Sequence, residues 1–105
     1  MPYIKSEARR YFDSDIHSVS LKLREERHRD TSSVDGNCNY VISRIVASAF
    51  GPQLAGEKWR YWMIARAMGC FICAALEFYR RVGACREDDV ITENGDIPEY
   101  ERPKQ

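Results

Sequence analysis

The stretch from Glu57 to Val82 constrains this chain more than any other, because apolar residues recur at helical spacing on two sides of it at once. Ile64, Met68, Phe71, Ile72, Ala75, Tyr79 and Val82 form one face, and Trp59, Met63, Cys70, Cys73, Ala74 and Phe78 form another. A helix with a single apolar stripe leans on one neighbour, whereas a helix apolar around most of its girth has to be enclosed. The chain has 105 residues, enough for one domain with one modest core. So greasy a helix in so short a chain predicts either a wrapping N-terminal segment or a subunit interface, and a homo-oligomer is the expected state. Gly69 costs the middle of this helix roughly 1 kcal/mol relative to alanine. Such a glycine predicts that another backbone approaches closely there.

The remaining elements follow from caps and periodicity. Residues 6–28 read as one helix or two short ones, with Ser6 as N-cap and a second cap available at Asp13-Ser14-Asp15. Its stripe of Ile16, Val19, Leu21 and Leu23 is ragged, and Arg24 to Arg29 is nearly all charged. Thr31 to Gly36 reads as a loop. Asn37 then caps an amphipathic helix over 37–50, with Val41, Ile42, Ile45, Val46, Ala49 and Phe50 inward and Gly51-Pro52 as the stop. The main helix is expected over 57–82. In the tail, about 88–98, Asn94-Gly95 separates Val90-Ile91-Thr92 from Ile97, the pattern of a two-residue hairpin turn. The expected fold is therefore mainly α: a single domain, residues 1–105, of three helices (four if the first divides) with a short C-terminal β-hairpin.

Charge narrows the classes of partner. The formal net charge is zero, which favours neither nucleic acid nor a membrane surface. Residues 53–84 carry five Lys/Arg against two Asp/Glu, and residues 85–105 carry three against seven. Either the acidic tail neutralises the basic helix within the fold, or the basic groups face a ligand. Met1-Pro2-Tyr3-Ile4-Lys5 runs into charged sequence, so no secretory leader is expected. The uncharged apolar run from Ala67 to Leu76 is shorter than a bilayer requires. A cytoplasmic protein with its four cysteines as thiols is the expectation.

Motifs for catalysis are sparse. Cys70 and Cys73 make a C-x-x-C, but the pair falls in mid-helix among apolar residues, where burial raises a thiol pKa instead of activating it. A zinc site would need Cys38 and Cys85 to converge on them, so core packing is the preferred reading and no metal is expected. His17 and His28 stand apart from any metal spacing. An N-terminal proline amine of the kind some tautomerases use needs a strand, and this N-terminus leads into a helix. No nucleophile elbow, P-loop or dinucleotide-binding glycine pattern occurs, so no cofactor and no catalytic residue are assigned.

The arginine and tyrosine set is the sharper signal. Arg44 lies one turn beyond Tyr40, and Arg60, Arg66, Arg80 and Arg81 lie along the main helix with Tyr61 and Tyr79 nearby. Arg66 interrupts an otherwise apolar segment, so it pairs internally, reaches a polar seam or meets a ligand. Guanidinium forks suit phosphates and tyrosine faces suit bases. Arg44, Arg66, Arg80 and Tyr79, with Tyr40 and Arg81 in support, form the candidate set for a nucleotide-type or other small anionic ligand. The plain alternative is that Glu77 and the acidic tail pair with these arginines.

Met1-Pro2-Tyr3-Ile4, Asn39-Tyr40-Val41-Ile42-Ser43-Arg44, Ala67-Met68-Gly69, Leu76-Glu77-Phe78-Tyr79-Arg80-Arg81 and Glu93-Asn94-Gly95-Asp96 occur in this order over most of the chain. In this the sequence resembles a family of short proteins common in tailed-phage and prophage genomes. The Glu-Phe-Tyr-Arg-Arg and Glu-Asn-Gly-Asp pieces carry most of the likeness. Where that pattern has a Pro-Tyr pair before the acidic stretch, this chain has Cys85-Arg86. The resemblance implies a phage accessory protein acting in the host cytoplasm, and small phage proteins without enzymatic motifs often counter host defence. On that footing the expectation is a non-enzymatic oligomer that sequesters an anionic signal. The rivals are a module that blocks a host protein and, third, a small hydrolase.

Overall fold

The computed structural model describes residues 2–101, and every regular element among them is helical. α1 spans Ser6–Arg29, α2 Val34–Phe50, α3 Tyr61–Phe78 and α4 Ala84–Asn94. Short 3-10 turns occupy Thr31–Ser33 and Pro98–Tyr100, and a π-helical turn at Tyr79–Gly83 carries α3 into α4. There are thus three long helical stretches, the third interrupted only by its π turn. The chain divides into two compact units, Met1–Cys70 and Phe71–Gln105, with the division inside α3.

In the first unit α1 runs unbroken through Asp13-Ser14-Asp15. Three residues of middling propensity cost a few tenths of a kcal/mol each, too little to stop a helix flanked by better formers. Lys5, not Ser6, occupies the N-cap, and no side chain caps it. Glu7 in the first turn and Arg27, His28 and Arg29 in the last suit the helix dipole instead. Asp30 makes the turn into α2: its Oδ1 accepts from the Ser32 backbone N–H (3.1 Å) and the Ser32 hydroxyl (2.6 Å). That turn feeds α2 directly, so α2 begins three residues before the expected Asn37 cap. The Asn37 amide donates back to Ser33 Oγ at 3.3 Å. So short a connection leaves α1 and α2 as neighbours. An apolar groove of about 490 Å³ lies along them, lined by Phe12, Ile16, Val19, Val41 and Ile45 among others.

Gly51 ends α2 as expected, but for a different reason. Its backbone is extended (φ −77°, ψ −176°), so no left-handed conformation is involved. A Cβ there would lie 2.5 Å from the Ala47 carbonyl oxygen and 2.8 Å from the Trp59 ring. The glycine lets the indole close over the helix end. The helix expected from residue 57 starts at Tyr61, because Gly56 takes φ 78° and the Glu57 N–H closes a turn on Leu54 O at 3.1 Å. Met63 and Ala67, 4% and 9% exposed, are the buried hydrophobic residues of this unit.

The second unit holds the end of α3, the π turn and α4. The expected hairpin is absent: among the described residues there is no strand, and Val90 to Asn94 continue α4. Gly95, at φ 86°, terminates the helix with its N–H on Ile91 O at 2.7 Å. An Asn-Gly pair supplies the positive φ of a hairpin turn and of a helix stop equally well. With no sheet to join, an isolated hairpin is marginal and the helix prevails. Thr92 is accommodated by donating its hydroxyl to Asp88 O at 3.0 Å.

Apolar side chains of α3 stay uncovered along its length, from Phe71 at 38% exposed to Phe78 at 68%. A Cβ built on Gly69 meets nothing within 4 Å, so among the described residues of its own unit the expected close approach is not made. The run Tyr61–Asn94, 34 residues, is long and apolar enough to cross a membrane by length and composition, once Arg66 is allowed inside the span.

Candidate functional site

Both arginine pairs of the first unit arise from helical spacing, since residues four apart stand one above the other. Arg44 donates through Nη1 to the Tyr40 hydroxyl at 2.8 Å and lies 5.6 Å from that ring's centroid. Arg66 lies 5.5 Å from the centroid of Trp62 in the same manner. A guanidinium stacked on an aromatic face loses little freedom when its in-plane N–H groups meet an oxyanion. Among the described residues, neither Arg44, Arg60 nor Arg66 takes part in an ion pair.

The α2–α3 junction shapes a cavity of about 770 Å³ near Arg66. Its walls include Arg60, Trp62 and Arg66, and its apolar floor includes Phe50 and Met63. The connecting turn is tied down on itself. Gln53 donates its side-chain amide to Ser48 O (3.0 Å) and Gly51 O (2.9 Å), satisfying carbonyls that the end of α2 leaves open. The Gln53 backbone N–H donates to Glu57 Oε1 at 3.3 Å, which occupies the one carboxylate of the lining. The cavity has two cations against one anion and rests on a braced turn.

In the second unit the candidates are differently committed. Arg80 donates to both Glu77 oxygens, from Nη2 to Oε1 at 2.6 Å and from Nε to Oε2 at 3.3 Å. For this arginine the internal-pairing alternative holds. The Tyr79 hydroxyl donates to Glu87 Oε2 at 2.7 Å, across eight residues, and its ring rests against Gly83. A Cβ on Gly83 would lie 2.7 Å from that ring. The Glu87 bond, more than the nearby charge, pushes the Tyr79 phenol pKa above its ordinary 10.0. Arg81 is exposed and outside any ion pair among the described residues.

The six candidates therefore fall into local groups: Tyr40 with Arg44, Arg66 with Trp62, Arg80 with Glu77, Tyr79 with Glu87, and Arg81 outside any ion pair among the described residues. The sequence reading passed over Trp62 and Gln53. Trp62 was legible, because it precedes Arg66 by four residues as Tyr40 precedes Arg44. Gln53 carried no signal, since its role depends on the extended backbone at Gly51. The core reading of the cysteines is also corrected: Cys70 and Cys73 are exposed, Cys85 is exposed and Cys38 half-buried.

A family model described as a domain of unknown function (DUF6899) matches residues 1–97. Comparison with curated proteins and with solved structures gives no match.

Proposed function

The chain belongs to the DUF6899 family, and from that premise we propose that it is a non-enzymatic binding protein that self-associates and captures a small anionic ligand of nucleotide type. The observation that carries this reading is the exposure of its apolar helix faces. On α3, Ile64, Met68, Ile72, Leu76 and Phe78 are all exposed, between 46% and 68%.

Further copies of the chain are the fitting cover. The groove along α1 and α2 is apolar and open, and α3 offers uncovered apolar faces of matching character. A bilayer would also cover α3, which has the length for it. Arg66 and Glu77 lie within that apolar stretch, however, and a charge near the bilayer centre costs about 2.5–3.5 kcal/mol on insertion scales. Association in water spares that cost, because a guanidinium at a seam keeps its hydration or meets an anion. Capture is supported by the two stacked arginines, and the non-enzymatic character by the lack of any nucleophile or phosphate-loop motif in the sequence.

Native mass spectrometry of protein taken directly from cells, with sedimentation of the purified protein without detergent, tests both halves. The expected result is two or more copies per particle and a retained small anion. A folded monomer, recovery only in the membrane fraction, or a stoichiometric complex with an unrelated protein overturns the self-association.

A further inference from the structure

We propose that the cavity at the α2–α3 junction is where the ligand is held, and that it takes nucleoside 5′-monophosphates, with the phosphate on Arg60 and Arg66 and the base on the apolar floor. This rests on the capture reading above and gives it a place and a chemical class.

Size comes first. About 770 Å³ is the range of pockets that bury a cofactor-sized molecule. Chemistry narrows the occupant further. Arg66 is held over the Trp62 ring, so its fork is oriented before a ligand arrives. Arg60 stands at the start of α3 with a guanidinium outside any ion pair among the described residues. Its backbone is fixed, because its N–H meets Met63 Sδ at 3.5 Å and its carbonyl accepts from the Met63 and Ile64 N–H groups at 3.1 and 3.2 Å. Two guanidinium groups in one lining suit a phosphate, which accepts bidentate hydrogen bonds from each.

The floor sets the other half of the ligand. Phe50, half-buried, lines the cavity as the apolar partner for a planar ring, with the nearly fully buried Met63 also in the lining. Glu57 limits the charge the site accepts. It belongs to the lining and its carboxylate accepts from the Gln53 N–H, which leaves the lining one positive charge in excess. That suits a single phosphate and disfavours a triphosphate, whose added charge would meet the carboxylate without further cations. Bracing by Gln53 and the Gly51–Trp59 contact keeps the walls in place in the empty protein.

Titration calorimetry on the full-length assembled protein tests the assignment, with the four nucleoside 5′-monophosphates, adenosine and inorganic phosphate as probes. At least one monophosphate is expected to bind tenfold or more tightly than either half alone. Arg60→Met and Arg66→Met are each expected to weaken it at least tenfold with sedimentation unchanged, while Arg10→Met on α1 leaves it as it was. No heat with any of the four, or binding that survives both arginine variants, overturns the site. If cell-derived Arg66→Met protein still retains a small anion in native mass spectrometry, capture stands and this cavity falls.

Discussion

At the scale of single residues, the arginines divide by the company they keep. Arg80 is matched to Glu77 in an exposed i, i+3 pair, the kind that contributes little to stability. Arg66 has an aromatic face and, among the described residues, no carboxylate, and that difference is why it is the one proposed to meet a ligand. Tyr79 is a chemical reporter of its own contact. Its pKa is raised chiefly because the phenol donates to Glu87 and secondarily because that carboxylate opposes a phenolate nearby. The sign follows: the contact is fully present below pH 10 and is lost as pH rises through the raised value. Titration of the tyrosine 13Cζ resonances is expected to show Tyr79 ionising above 10.0, with Glu87→Gln bringing it back toward that value. An unshifted Tyr79 in the unaltered protein would show the hydrogen bond to be absent in solution.

At the scale of elements, the helices were legible wherever local signals agreed. The i, i+4 repeat placed α2, and Gly51 marked its end. Three features escaped for physical reasons. The start of α3 slid from 57 to 61 because Gly56 reverses the chain, and no periodicity announces a positive φ. The π turn at Tyr79–Gly83 depends on a ring lying over Gly83, a contact without a sequence pattern. The hairpin failed because Asn94-Gly95 serves two structures and the choice lies with whether a sheet is there to join. Gly69 is expected to mark a point of close approach, and among the described residues of its own unit none is made. If α3 is covered by a second copy, Gly69→Ala raises helicity at low concentration, by roughly 1 kcal/mol of helix propensity. The same change is expected to weaken association at least tenfold, about 1.4 kcal/mol, because the added methyl separates the backbones. Unchanged association in a sedimentation series, with a higher thermal midpoint, would place Gly69 on an uncovered face.

At the scale of the whole molecule, the sequence foretold the central difficulty but not its extent. The two-sided apolar pattern of residues 57–82 required shelter, and sequence alone offered a wrapping N-terminus or a second subunit, with a homo-oligomer as the expectation. The structure leaves that helix largely uncovered, with Met63 and Ala67 as its buried residues. The candidate site was half legible, since spacing alone reveals the stacked arginines and only the folded turn reveals the cavity beside them. Exposed Cys70 and Cys73 give a direct readout of cover. Their reaction with a thiol-specific disulfide reagent is expected to slow as protein concentration rises, following the assembled fraction. Reaction at the free-thiol rate at every concentration would mean that nothing shelters α3.

If further copies of the chain supply the cover that α3 lacks, its survival is tied to its dosage. Scarce product would then stay open to proteases, because mass action depopulates the sheltered form, and abundant product would lock itself into the durable one. On that reading output climbs more steeply than gene expression, and the uncovered flanks of one helix set a threshold, silent at a trickle and persistent after a burst of synthesis.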